Sequence, residues 1–324
     1  MYSDRISTGA RYNLLTADIK KNEANFNKIT QQLASGKKVT SITDDPIAAV
    51  NIINTNRQLG QIETFNQNVK MGMNELDTLD DLFDLASGYL SDAWDKATQA
   101  NNGTYGVPSL KALKTEIDEI AKTMVDLANT EFNDNFIFGG ANTKLTPYEI
   151  DETTGAITYN GTPETDPNYV RQIEVADGVF ETINTTGDKV FGYYKDENDY
   201  SGVMGALKVL SNSIQDVIDA KEAGDKTAEE AGYSKMNSTL DMFKNSLTDI
   251  TTEQTKFGGV YNRLEMTQST LDTNNQNLTS YLSEIQEVDL TKAVSDWYQA
   301  QYAYQASLQV AASSMNMSLL NYLR

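Results

Sequence analysis

The sequence contains no cysteine and no histidine. These two absences remove thiol chemistry, disulfides, Ser–His–Asp triads, and the usual zinc, haem and iron–sulfur ligand sets. Only carboxylates, lysines and the backbone remain for chemistry, so an enzyme is the less expected class and no cofactor is expected. The missing cysteines fit an extracellular protein without disulfides and fit the cytosol equally. Basic side chains are the minority, 26 Lys and Arg against 46 Asp and Glu, for a formal charge of −20. Such an excess repels nucleic acid and anionic membrane at long range, so neither is an expected partner. No stretch of apolar residues is long enough for a transmembrane helix. The segment Met1–Gly9 offers no apolar core for a signal peptide.

What is present is unevenly placed. Residues 1–40 carry seven basic and three acidic side chains, whereas residues 141–200 carry four and twelve. From Trp297 to Leu323 there are 27 consecutive residues without charge. A basic start, an acidic middle and a neutral end imply that the ends have different neighbours from the centre. With 324 residues, two or three domains and a sizeable core are available.

Helical periodicity dominates. From Leu240 a mostly apolar series runs Phe243, Leu247, Ile250, Gln254, Phe257, Tyr261, Leu264, Gln268, Leu271, Asn275, Leu278, Leu282, Ile285 in steps of three and four. This is the coiled-coil pattern, and it predicts a rod of roughly 70 Å. Gly258–Gly259 within it is either a tolerated surface pair or a bend or close helix approach. The same spacing links Ile62, Phe65, Val69, Gly72, Leu76, Leu79, Phe83, Ala86, Leu90 and Ala93, and then Leu110 to Leu127 after Pro108. A further helix is expected at 202–220, with a loop over Glu222–Gly232. The expected rod core is Ile62, Val69, Leu76, Phe83, Leu90, Leu264, Leu271, Leu278 and Ile285. Between 137 and 200 the period shortens. Ile157–Tyr159, Val170–Val175, Val179–Ile183 and Val190–Phe191 read as short strands separated by Gly-bearing turns. The expected fold class is therefore mainly α: an elongated antiparallel helical bundle with one small inserted β-rich domain. The expected divisions are 1–40, 41–136, 137–200, 201–286 and 287–324.

The two ends are amphipathic. Tyr12, Leu15, Ile19, Asn22, Phe26, Ile29 and Leu33 share one face; Leu290, Val294, Trp297, Gln301, Tyr304, Leu308, Ala311 and Met315 share another. They would pair as a terminal two-helix coiled coil, but two lone helices bury little core against an ordering cost of roughly 1–2 kcal/mol per residue. This unit is expected to order fully only when copies stack around it. Its expected assembly surface comprises Ile19, Phe26, Leu33, Trp297, Tyr298, Tyr302, Tyr304, Leu308, Met315 and Leu319, with Tyr298 and Tyr302 off the seam and free to meet neighbours. Gly36 suits the end of the first helix; Asp44 or Asp45 suits the cap of the next, with Pro46 in its first turn. Gly36-Lys37-Lys38 lacks the glycine and hydroxyl of a phosphate loop. The acidic groups at 149–152 and 196–199 read as solvated loop surface; the second begins like a calcium loop but has Tyr200 where a ligand belongs.

Several stretches carry a family resemblance. Ser35-Gly36-Lys37-Lys38 through Asp44-Asp45-Pro46-Ile47-Ala48-Ala49 resembles the corresponding segment of bacterial flagellins and their junction relatives. Arg5-Ile6-Ser7-Thr8 and the closing Ser318–Arg324 are similar to the ends of that family. Asn135-Phe136-Ile137-Phe138-Gly139-Gly140 with Tyr148 and Tyr159-Asn160-Gly161 resembles its junction members more than flagellin proper. Asp289–Ser295 is similar to the opening of the last helix in flagellins and junction members alike; Lys292 departs from an acidic preference without favouring either. The resemblance implies a secreted structural subunit of the bacterial flagellum, exported unfolded through the type III channel without a cleaved signal. It implies a thin layer of eleven copies of itself, joined to another hook-associated junction protein on one side and to flagellin on the other. It also implies a cytoplasmic export chaperone held near the C-terminus, over 290–324. A short filament-forming flagellin and a non-flagellar scaffold or adhesin are the alternatives.

Overall fold

The computed structural model describes residues 8–322, with side chains at 10–314. In chain order its elements are the helices α1 (Thr8–Ser35), α2 (Pro46–Ala100) and α3 (Val107–Ala128), then strands β1 (Glu131–Phe132), β2 (Asn135–Phe136), β3 (Tyr148–Ile150), β4 (Ile157–Tyr159), β5 (Gln172–Ala176) and β6 (Val179–Thr182). The short helix α4 (Gly187–Val190), strands β7 (Tyr193–Asp196) and β8 (Asp199–Ser201), and helices α5 (Gly202–Ala223), α6 (Lys226–Gln286) and α7 (Leu290–Tyr322) follow. The fold is thus mainly helical with one β-rich insertion. Two compact units result, one formed by Met1–Glu63 with Thr273–Arg324 and the other by Thr64–Asp272.

In the second unit, α2 and α6 run antiparallel. Asn66 Nδ2 reaches Asp272 at 3.2 Å, while Gln254 Nε2 donates to Asp80 at 3.0 Å and to Asp84 at 2.8 Å. Val69, Leu76, Phe83 and Leu90 are buried against Phe243, Ile250, Phe257, Leu264 and Leu271. α3 pairs with α5, burying Leu110, Leu113, Ile117 and Met124 opposite Leu207, Leu210, Ile214 and Val217. Of the expected rod core only Leu278 and Ile285, which fall in the first unit, are half-buried rather than buried.

Three local expectations are corrected. The α6 seam is rotated at alternate positions, because Ser246, Glu253 and Val260 are buried where Leu247, Gln254 and Tyr261 were expected. Glu253 is tolerated inside because Lys189 Nζ at 3.2 Å and Lys256 Nζ at 3.1 Å neutralise it. Glu222–Gly232 is not a loop: α5 ends at Gly224 in a left-handed conformation, and Asp225 caps α6 by accepting from the Thr227 and Ala228 amides. Val190–Phe191 is not a strand but the end of α4, whose Val190 and Phe191 point into the core. Gly258 and Gly259 have open space where a Cβ would stand, so the pair makes no close helix approach.

The insertion shares its core with the helices. Phe138 meets Phe191 edge-on at 4.8 Å and Phe83 of α2 at 6.4 Å. Its sheets are all antiparallel: β1–β2, β5–β6, and the four strands β3-β4-β7-β8. Three ion pairs hold it to the helices: Arg171 to Glu75, Lys189 to Glu253, and Arg263 to Glu181 through both guanidinium and carboxylate arms at 2.7 and 2.9 Å. Gly72 on α2 lies beneath the β5–β6 hairpin, where a Cβ would stand 2.5 Å from Ile173 Cδ1 and press on the end of that side chain.

Candidate assembly surface

The terminal pair belongs wholly to the first unit. α1 and α7 run antiparallel, with the Phe26 ring 5.7 Å from Trp297 and stacked 6.1 Å from Tyr304. Trp297 Nε1–H donates to Thr30 Oγ1 at 2.9 Å. Among the described residues, the side chains that reach full burial on α7 are Ala293 and Ala300, and on α1 none does. Burial of two methyl groups and a few half-covered rings is a small apolar return for more than 50 ordered residues.

The expected assembly residues divide accordingly. Ile19, Phe26, Leu33, Trp297 and Tyr304 are half-buried along the α1–α7 contact, whereas Tyr298, Tyr302 and Leu308 are exposed. The side chains of Met315 and Leu319 lie outside the described residues, as do Arg5, Ile6 and Ser7. The expected α7 seam is corrected at Leu290, Val294 and Leu308, which are exposed; Ala293 and Ala300 take inward positions with Trp297 and Tyr304. The inward face thus combines small alanines with the aromatic rings that meet Phe26.

The links into this pair are fastened to each other, a contact that periodicity could not disclose. The Lys38 amide donates to Gln286 O at 2.8 Å and the Val288 amide to Gly36 O at 2.9 Å. Lys38 Nζ adds a bond to Glu284 O at 2.7 Å, and Gln32 Nε2 holds Lys38 O at 2.8 Å. Gly36 has φ +70°, a left-handed turn that lets α1 stop and the chain run along the 286–288 segment. Asp45 caps α2, accepting from the Ile47 and Ala48 amides. Asp44 instead closes the loop, accepting from Thr40 and from the Ser41 amide and pairing with Lys28 at 3.0 Å. Lys28 above all, then Thr40, holds its carboxyl down at about 2.

The carboxylate clusters do local structural work. Asp151 accepts the Thr153 and Thr154 amides, which lower its pKa, and Asp196 accepts the Asn198 and Asp199 amides at the β7–β8 turn. Among the described residues no group of three or more acidic side chains is placed to hold a metal ion, and no helix is long and apolar enough to cross a membrane.

Comparison with known proteins decides the family. The bacterial flagellin N-terminal helical region matches residues 6–143, and the bacterial flagellin C-terminal helical region matches 240–323. The chain belongs to the bacterial flagellin family. It is similar to flagellar hook-associated protein 3 of Escherichia coli K12, 25% identical with 97% of this chain and 98% of that protein covered. It is also similar to the flagellin of Bacillus subtilis 168, 24% identical with 91% of each covered. The fold resembles the flagellar junction protein FlgL of Legionella pneumophila, with a TM-score of 0.57 and 15% identity over 74% of this chain and all of the other. The two flagellin regions take in nearly all of the first unit, including α1, the fastened links and α7. What they leave out, 144–239, holds β3–β8, α4, α5 and the start of α6. The flagellin-family part of the chain is therefore the part with the exposed, thinly buried helix pair.

Proposed function

We propose that this chain is a structural subunit of the flagellum and forms the adaptor layer that joins the hook side to the filament. The observation that carries the reading is the likeness to hook-associated protein 3 along 97% of the chain, insertion included. The assembly residues named above are its contact surface in this reading, with 1–40 and 287–324 as the terminal coiled-coil unit, 41–136 and 201–286 as rod, and 137–200 as the β-rich insertion. The chain meets copies of itself, another hook-associated protein and flagellin, and before export a chaperone over 290–324. A terminal pair that, among the described residues, buries only alanines fully supports this division, because its remaining apolar surface is left for neighbours. The second reading, a short flagellin, is favoured by the match to a flagellin over 91% of the chain.

Electron microscopy of cells lacking the gene separates the two. The adaptor reading expects bare hooks with flagellin released into the medium. Normal filaments, or loss of filament with no other flagellin in the medium, would overturn it. A filament flagellin would also extend alone from short filament seeds, which an adaptor would not.

A further inference from the structure

Charge is partitioned completely between the two units. The unit formed by 1–63 and 273–324 has ten basic and ten acidic residues, leaving 16 of 26 basic and 36 of 46 acidic residues in 64–272. One unit is thus neutral and the other carries the whole −20. Two copies repel wherever their charged units approach and meet without a Coulomb penalty at their neutral ones.

Among the described residues of the neutral unit, two uncovered apolar rows stand out by their spacing. On α7, Leu290, Val294, Tyr298 and Tyr302 follow one another in steps of four, all exposed, Tyr302 at 67%. They form an i±4 ridge beside the inward face of Ala293, Trp297 and Ala300. At the start of α2, Ile47, Val50 and Ile53 follow in steps of three, with Ile42 next to them in the loop; Ile47 is 77% exposed. The other face of that helix buries Ala49, Ile52 and Thr55, and no charged residue occurs from Pro46 to Asn56. An i±3 ridge fits the grooves beside an i±4 ridge at a shallow crossing of about 20°. Within one copy the rows do not cover each other, since both are exposed in the same unit.

We propose that the α7 row of one copy seats against the α2 row of a second copy of this chain. The proposed contact uses each row once, head-to-tail, which is the arrangement that repeats around a layer or along a helix. This rests on the reading that copies assemble and names the pair of surfaces by which they do so.

The cysteine-free chain makes the test direct. Val50→Cys and Tyr302→Cys are placed on separate copies expressed together, and isolated flagella are oxidised with copper phenanthroline. A disulfide joining position 50 of one chain to 302 of another, in flagella and not in the dilute secreted monomer, is the expected result. Chain present in flagella with only 50–50 or 302–302 products, or with none, overturns the pairing. Wild-type chain absent from flagella overturns the functional reading instead. As a second measure, Val50→Asp is expected to lower incorporation by about tenfold or more with the helicity of the monomer unchanged, because a carboxylate is desolvated at the contact. Combining it with Tyr302→Lys on the other copy is expected to recover part of the loss. Unchanged incorporation of Val50→Asp counts against the pairing.

Discussion

At the scale of single residues, the polar groups that matter are those that close loops. Asp44 has a folded pKa of about 2, below its ordinary 3.8. A carboxyl so depressed contributes stability that is fully present above the ordinary value and is lost as pH falls through about 2. Carboxyl titration followed by NMR should therefore place Asp44 near 2 in the native chain and move it up toward the ordinary range in Lys28→Ala. Asp45 has a different task, and Asp45→Ala should cost about 1 kcal/mol through the lost helix cap, read from denaturant unfolding of the first unit. Gly192 has φ +68°, and a Cβ there would fall 2.1 Å from the Ser201 carbonyl oxygen. Gly192→Ala should destabilise the insertion by roughly 2–4 kcal/mol, visible as loss of near-ultraviolet signal from the Tyr148–Phe191 cluster. At Glu253 the cost of removing a partner depends on what stays buried. Lys189→Met should lower stability by about 1–3 kcal/mol, less than a lone buried charge would, because Lys256 still faces the carboxylate.

At the scale of elements, the two units differ in how their helices are held. α3, α5 and the second-unit parts of α2 and α6 bury long, mostly apolar faces, while among the described residues α1 and α7 bury two alanines fully. Limited proteolysis of the purified chain should trim roughly the first 40 and last 40 residues and leave a resistant core; uniform resistance would contradict that ranking. This difference was partly legible in the sequence. The three-and-four spacing located α2, α3 and α6 and the pairing of α1 with α7, because large apolar side chains mark a buried face. The same spacing misplaced the face of α6 by one residue at three positions, two of which, Ser246 and Glu253, bury a small or charged side chain that hydropathy reads as outward. Hydropathy has no way of knowing that two lysines wait for that glutamate. It erred on α7 likewise, taking Leu290 and Val294 as inward when the smaller Ala293 and Ala300 are the buried residues. The strands β1, β2, β3, β7 and β8, two to four residues each, were not found because so few residues leave no period, and the fastening of Lys38 to Gln286 is a backbone contact that side-chain pattern does not encode.

At the scale of the molecule, the partition of charge sets how the chain responds to its solvent. A body of −20 repels itself, and its repulsion is screened over about 8 Å at physiological salt. Raising salt from 10 mM to 0.5 M should lift the unfolding midpoint of the second unit and leave the neutral first unit nearly unmoved, as scanning calorimetry would separate. A fall for the second unit would mean that its ion pairs outweigh its self-repulsion. The knot at the foot of the terminal helices has its own consequence. Since Gly36 and Lys38 are tied to Gln286 and Val288, neither helix can slide a turn past the other without breaking those ties. Neighbours arriving later find a hairpin whose alignment was chosen before they came, and need only tighten it.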